Sequence, residues 1–258
     1  MTKIYAVTNQ KGGVGKTTTC VNLAASLVAT KRKVLLVDMD PQGHATLGSG
    51  INKKDLQLSV YDVLMGDSDI ASARLTTDPA AYDLLPANVD LAGAEVNLID
   101  QSRRERRLAE ALEPIKHEYD FILIDCPPSL NLLTINALTA ARGVLVPVQC
   151  EYYALEGLTS LLETLKRVAG SVNPGLEVTG ILRTMYDPRN SLTRDVSVQL
   201  TDYFQDQVFG TVIPRNVRLA EAPSYGMPVL TYDAKSKGSL AYLALAGEIL
   251  RRSSAKTE

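Results

Sequence analysis

Along the chain, short runs of uninterrupted apolar residues alternate with longer stretches whose apolar positions recur every three or four residues. The first kind reads as strands and the second as helices. Side chains alternate faces along a strand, whereas in a helix positions i, i+3 and i+4 share one face. Strands are predicted over 3–8, 33–38, 82–86, 120–125, 143–148, 176–184 and 210–213. Helices are predicted over 17–30, 104–116, 130–141, 154–170, 191–206 and 238–252. Val34-Leu35-Leu36-Val37 and Phe121-Ile122-Leu123-Ile124 are apolar on both faces, as strands covered by helices on two sides must be. Within 17–30, Cys20, Leu23, Ala24, Leu27 and Val28 form the stripe that docks on the sheet. The alternation predicts an α/β fold built on a single doubly wound, mostly parallel sheet with helices on both faces.

No repeat or low-complexity linker interrupts this pattern, so residues 1–252 read as one domain and 253–258 as a polar C-terminal tail. The stretch 41–80 is the loosest, with Gly43, Gly48, Gly50 and Gly66 around a short helix near 59–65.

The chain has 258 residues, of which 45% are apolar and 22% charged, with a formal net charge of −2. Such a balance gives no global attraction to nucleic acid or anionic lipid, so any such binding must come from a local patch. Met-Thr-Lys leads straight into a strand, so no signal peptide is expected, and no apolar run reaches the roughly 18 residues a bilayer span needs. Three cysteines, Cys20, Cys126 and Cys150, are far apart and odd in number. They are expected to be buried small hydrophobes in a reducing cytoplasm rather than a disulfide framework, zinc site or metal-cluster site.

Candidate chemistry concentrates where strands end. After Ile4–Val7 comes Thr8-Asn-Gln-Lys-Gly-Gly-Val-Gly-Lys-Thr-Thr-Thr19, a glycine loop closed by Lys16 and Thr17 at the start of a helix. Glycines let backbone N–H groups converge on phosphate oxygens; Lys16 adds charge near the β- and γ-phosphates, and the Thr17 hydroxyl can reach Mg²⁺. The residues Gly12, Gly13, Val14, Gly15, Lys16, Thr17 and Thr18 are therefore the expected phosphate cradle, in a phosphate-loop NTPase-like fold. The usual pattern has glycine at the position of Gln10, and here a second lysine, Lys11, stands at the mouth instead. The strand 33–38 runs into Asp38-Met-Asp40-Pro-Gln-Gly43, and 120–125 ends on Asp125-Cys-Pro-Pro128. Carboxylates at the carboxyl ends of parallel strands face the crevice where such sheets bind ligands. Asp125 is placed to hold Mg²⁺ directly or through water, Asp40 to orient an attacking water, and Asp38 to support it.

Lys11-Gly-Gly-Val-Gly-Lys-Thr-Thr18, Val37-Asp-Met-Asp-Pro-Gln-Gly43 and Leu123-Ile-Asp-Cys-Pro-Pro-Ser129 resemble the deviant Walker-A ATPases. Together with Glu151–Gly157, Ile181–Asn190 and Ile213–Pro223, they most resemble the ParA/Soj partition ATPases of the MinD/ParA superfamily, over almost the whole chain. His44 departs from the asparagine usual after Pro-Gln-Gly, beside the water-positioning loop. The resemblance implies an Mg²⁺-dependent ATPase that pairs with a second copy when ATP is bound, Lys11 crossing to its partner's phosphates as an arginine finger would. Met185, Pro214 and Asn216 then correspond to the adenine-contacting region.

The same resemblance implies non-specific binding of double-stranded DNA by scattered basic residues, here Arg189, Arg215 and Arg218, and a ParB/Spo0J-like centromere-binding partner that stimulates slow hydrolysis. The expected location is cytoplasmic and nucleoid-associated. No helix-turn-helix precedes the glycine loop, so sequence-specific DNA reading is not expected of this chain. MinD-like relatives use a C-terminal basic amphipathic helix at membranes. Here bulky apolar residues are missing beyond Leu250, so that alternative, a membrane-associated positioning ATPase, lacks an inserting tail. The run Arg103-Arg-Glu-Arg-Arg107 reads as a solvated helix face.

Overall fold

A computed structural model describes residues 2–255. Eight strands form one sheet in the order β3-β4-β2-β5-β1-β6-β7-β8. They are β1 (Lys3–Val7), β2 (Val34–Asp38), β3 (Leu75–Thr76), β4 (Asp83–Leu85), β5 (Phe121–Asp125), β6 (Gly143–Gln149), β7 (Glu177–Tyr186) and β8 (Val208–Pro214). Every pairing is parallel except that of the two-residue β3 with β4. The chain winds one way from β1 to β2 and the other from β5 to β6, which makes the sheet doubly wound.

The helices are α1 (Lys16–Ala29), α2 (His44–Gly48), α3 (Val60–Met65), α4 (Ile70–Ala73), α5 (Leu91–Asn97), α6 (Arg107–Leu112), α7 (Leu132–Ala140), α8 (Ala154–Ser171), α9 (Ser191–Phe204), α10 (Val217–Glu221), α11 (Val229–Tyr232) and α12 (Lys237–Ala255). Alternation along the strands divides them into two layers. Ile122 and Ile124 of β5 join the core under α3–α9, while Phe121 and Leu123 face the core under α1, α2 and α10–α12. Ile122, Leu123 and Ile124 are wholly buried, and each such side chain contributes roughly 1.5–3 kcal/mol against exposure.

The predicted strands are present, with ends shifted by one to two residues, and β3 is additional. The single helix expected over 104–116 is a tight turn at 104–106 followed by α6, which stops at Leu112, just before Pro114, a residue with no backbone N–H to continue the helical ladder. Helix α5 went unread because Gly93 breaks its pattern; it forms because Leu91, Ala94 and the following Leu98 pack into the core. The short helix near 59–65 is α3, started by a capping box between Ser59 and Asp62. Helix α12 runs to Ala255, so the expected tail begins inside a helix; Lys256–Glu258 lie outside the described residues.

Candidate functional site

Register brings the three strand ends to one level. Asp125 of β5 is paired with Val7 of β1 on one side and with Asp38 of β2 on the other. The loop leaving β1 therefore lies directly beside both carboxylates. It turns into α1 at Gly15, whose φ of +88° replaces a side-chain cap, and Gly13 has a φ of +74°. Both are conformations that only glycine adopts without strain, and α1 consequently opens with unpaired N–H groups facing the loop's hollow.

The loop is braced from distant parts of the chain. Thr184 Oγ1 of β7 donates to the Val14 carbonyl at 2.8 Å, and Asn9 Nδ2 donates to the Pro147 carbonyl of β6 at 2.8 Å. Asn9 Oδ1 in turn accepts from the Lys11 N–H at 3.0 Å. Lys16 is 7% exposed, and its Nζ donates to the Lys11 carbonyl across the hollow at 3.2 Å. Burial lowers the Lys16 pKa, and the nearby Asp125 carboxylate opposes that fall.

Asp125 is completely buried. Its Oδ1 accepts from the Cys20 thiol at 3.5 Å, while Oδ2 has no hydrogen-bond partner among the described residues. Burial pushes its pKa up to about 8, the Asp38 carboxylate opposite adds to the rise, and the Thr17 hydroxyl works against it. A buried carboxylate oxygen left unpaired beside a threonine hydroxyl fits a divalent cation, whose charge would hold the carboxylate ionised. No group of three or more His, Cys, Asp or Glu among the described residues makes a cage. Mg²⁺ is usually held by one or two protein ligands, with water and phosphate supplying the rest.

Asp38 is also fully buried, yet both of its oxygens are engaged: Oδ2 by the Thr46 N–H at 2.8 Å and hydroxyl at 2.7 Å, Oδ1 by the Asp40 N–H at 3.2 Å. Burial raises its pKa to about 6 against those hydrogen bonds. Asp40 is half-buried in the following turn, its Oδ1 accepting from the Gln42 N–H at 2.9 Å. Its carboxylate is near enough to Lys16 to raise that group's pKa. Lys11 stays outside its own hollow: its Nζ pairs with Glu151, and both side chains are close to half exposed, at 48% and 45%. Only Lys16 occupies the cradle.

Met185 and Pro214 stand at the carboxyl ends of β7 and β8, where Tyr186 pairs with Pro214. Met185 has a φ of +47°, and Asn216 caps α10 by accepting from the Leu219 N–H at 3.2 Å. The end of β7 reaches the glycine loop through Thr184, so this trio shares an edge with the cradle. The three arginines are further out. Arg189 is bound twice by Asp187, at 3.0 and 2.8 Å, which draws the Asp187 pKa down to about 2. Arg218 pairs with Glu221 at 2.8 Å and Asp233 at 3.3 Å. Arg215 is exposed, makes no ion pair within 4 Å among the described residues, and adds to the lowering of the Asp187 pKa through its charge. In the basic run, Arg103 pairs with Glu110 and Arg107 donates to the carbonyls of Leu64 and Met65, so these two are held by the fold. The three cysteines are free and buried.

Sequence reasoning assigned no role to Asn9, Glu151 or Thr184, although Glu151 and Thr184 fall inside the segments that carried the resemblance and Asn9 lies just before the first of them. Each acts on a residue between 138 and 170 positions away, except for Asn9's local bond to Lys11, and no local pattern announces such a contact.

Residues 2–178 match the AAA_31 family, described as an AAA domain. The chain is 54% identical to the sporulation initiation inhibitor protein Soj of Bacillus subtilis, over 96% of this chain and 98% of that protein. It is 52% identical to the chromosome partitioning protein ParA of Caulobacter vibrioides, over 97% and 94%. Among solved structures, a protein of Mycobacterium smegmatis described as cobyrinic acid a,c-diamide synthase, with bound ATP analogue and magnesium, superposes with a TM-score of 0.88 at 41% identity, covering 99% of this chain and 97% of that one. The septum site-determining protein MinD of Pyrococcus horikoshii, complexed with Mg-ADP, gives a TM-score of 0.77 at 29% identity, over 96% of each chain. Structural neighbours on this fold carry nucleotide and magnesium, and the chain belongs to the ParA/Soj family of partition ATPases.

Proposed function

We propose that this chain is an ATP-dependent DNA-partition switch of the cytoplasm and nucleoid. The loaded form pairs with a second copy and binds double-stranded DNA without sequence preference. Slow hydrolysis, stimulated by a ParB-like partner, then releases both. Gly12 to Thr18 cradle the phosphates, with Met185, Pro214 and Asn216 at the adenine. Thr17 and Asp125 would hold Mg²⁺, whose role is to neutralise charge on the phosphates. Lys16 supplies fixed charge inside the hollow, and Asp40 orients the attacking water.

The observation that carries this reading is the position of Lys11. Its amine lies outside the hollow its own chain builds, half-exposed and held by Glu151, while Lys16 alone fills the interior. A lysine so placed can move to another molecule's phosphates by giving up one exposed ion pair, worth about 0–1 kcal/mol. The rim it stands on is apolar and open: Tyr152 and Tyr153 beyond β6, Leu130 beyond β5, and Val89 and Val96 around α5 are all exposed. Hydrophobic exposure around a charged hollow suits a second copy seated face to face.

The test is DNA binding at several salt concentrations with ATP, with ADP and without nucleotide, alongside the mass in solution with non-cleavable ATP and magnesium. A pair that binds DNA only with the triphosphate is expected. If it neutralises about four phosphates, the logarithmic salt slope is near −3.6. A single copy under those conditions, or nucleotide-dependent binding to anionic vesicles instead of DNA, overturns the reading. Asp40→Ala is expected to keep ATP and the pair but to lose hydrolysis, leaving the complex on DNA.

A further inference from the structure

Thr46 is wholly buried and its hydroxyl is used twice. Oγ1 donates to Asp38 Oδ2 at 2.7 Å and accepts from the Ala87 N–H at 2.9 Å. The Thr46 N–H adds a second bond to the same carboxylate oxygen at 2.8 Å. Asp38 Oδ1 then accepts from the Asp40 N–H at 3.2 Å. An unbroken run of hydrogen bonds therefore joins the loop after β4, the first turn of α2 and the backbone of Asp40. Thr46, Asp38 and Ala87 each have no exposed surface.

The turn that carries Asp40 is otherwise held beyond that residue. Gln42 N–H donates to Asp40 Oδ1 and Gly43 N–H to the Asp40 carbonyl, while Lys53 Nζ donates to the Gln42 carbonyl and the Leu47 N–H to that of Gly43. Gln42 is exposed, and the turn leaves the sheet at Met39, whose N–H donates to the Asp125 carbonyl. Beyond that last ladder bond, the Asp38 carboxylate is what reaches forward to the Asp40 N–H, and Thr46 supplies two of its three donors. Buried networks of this kind are strong when every member is satisfied and expensive when one is removed.

We propose that Thr46 is a positioning residue for Asp40: by fixing the Asp38 carboxylate and tying it to Ala87, it sets the place from which Asp40 orients water. The assignment rests on the reading of Asp40 given above. It also accounts for the difference between two neighbouring aspartates, one saturated by donors inside the fold, the other left with acceptor capacity at the surface.

Thr46→Val keeps the shape and removes the hydroxyl, stranding the Ala87 N–H; Thr46→Ser keeps the hydroxyl. With Mg²⁺, ATP and DNA, the valine variant is expected to lose roughly 10–100-fold in kcat, the range that misplacing a reacting group produces. Its affinity for a fluorescent ATP analogue should stay within about twofold, and serine should restore kcat, a split that separates positioning from binding. Hydrogen exchange reads the clamp without activity. In the unsubstituted protein the Asp40, Thr46 and Ala87 amides should exchange slowly and together, and in Thr46→Val they should speed up while β1 amides stay protected. Unchanged kcat in Thr46→Val, affinity and kcat falling together, or failure of serine to rescue would overturn the proposal. If the valine variant does not fold, the serine variant and exchange in the unsubstituted protein decide it, fast exchange at Ala87 counting against the clamp. Should the unsubstituted protein bind ATP and never turn it over, the functional reading fails, whereas the exchange data still decide the clamp.

Discussion

The phosphate hollow and the arginine-bearing loops lie on one molecule but are held in opposite ways. In the hollow, Val14, Lys11 and Asn9 are tied by bonds to Thr184 and Pro147, far off in sequence and inside the sheet. Out on the loops, Arg189 is held by Asp187 two residues away and Arg218 by Glu221 three residues away and by Asp233, all in contact with water. The hollow is thus held by bonds within the chain itself, and disturbing it breaks buried bonds. The arginines can exchange a carboxylate for a phosphate at small cost, since exposed pairs contribute about 0–1 kcal/mol. Lys11 belongs to the second kind although it sits on the loop of the first, and that is where the two regions meet.

The sharpest way to break this comparison is to substitute the two lysines of one loop. Lys16→Ala removes a buried charge from the cradle and is expected to weaken ATP binding by roughly 10–100-fold, the loss for a hydrogen bond to a charged group. Lys11→Ala should leave the lone chain's ATP affinity nearly unchanged and abolish the ATP-dependent pair. Equilibrium binding of a fluorescent ATP analogue and light scattering with non-cleavable ATP measure the two effects. Equal losses of ATP affinity in both variants would place Lys11 in its own chain's cradle and end the distinction.

The legibility of the chain follows the same division. The placement of the glycine loop, Asp38 and Asp125 at neighbouring strand ends could be read because it is local: strand, turn and helix start within a few residues. Core strands such as Phe121–Ile124 could be read because burial on both faces leaves continuous apolar runs. Thr184, Glu151 and Thr46 could not, since each matters through a partner brought near only by strand order and register. Helix α5 was hidden for a related reason: Gly93 argues against a helix, and the packing of Leu91, Ala94 and Leu98 overrides it. Arginines offered the weakest signal, because nothing in a sequence separates Arg215, without an ion pair, from Arg189, held twice by one carboxylate.

Those arginines give a second, smaller test. Each phosphate contact adds about 0.9 to the salt slope of duplex binding, so a residue present twice in a pair adds about 1.8. Arg215→Ala is expected to flatten the slope by that amount, because among the described residues its guanidinium has no ion pair within 4 Å to give up to a phosphate. Arg189→Ala and Arg218→Ala should lower affinity less, since each arginine must leave its carboxylate partner before it can meet a phosphate. A slope unmoved by Arg215→Ala, with large changes at Arg189, would show that ion pairing in the free chain does not rank DNA contacts.

The smallest expected effect separates the buried carboxylates from nucleotide chemistry altogether. Asp125 in the fold keeps its proton up to about 8, against an ordinary value of 3.8 in the open chain. Between those limits the folded form carries a proton that the unfolded form has released, so stability must fall as pH rises through the window. Asp38 adds to the fall only in the lower part, because its pKa is about 6. The loss is at most about 1.4 kcal/mol per pH unit for one proton, a few degrees of Tm in a chain of this size. Melting without nucleotide and with EDTA, from pH 6 to 8.5, should show the decline, and Asp125→Asn should flatten its upper part by removing the charge. Magnesium with ATP should flatten it too, because a cation beside the unpaired oxygen stabilises the ionised carboxylate that burial alone disfavours. A melt equally flat in the unsubstituted protein and in Asp125→Asn would mean that Asp125 is ionised in the empty hollow, so that the site holds its charge ready rather than acquiring it with the ligand.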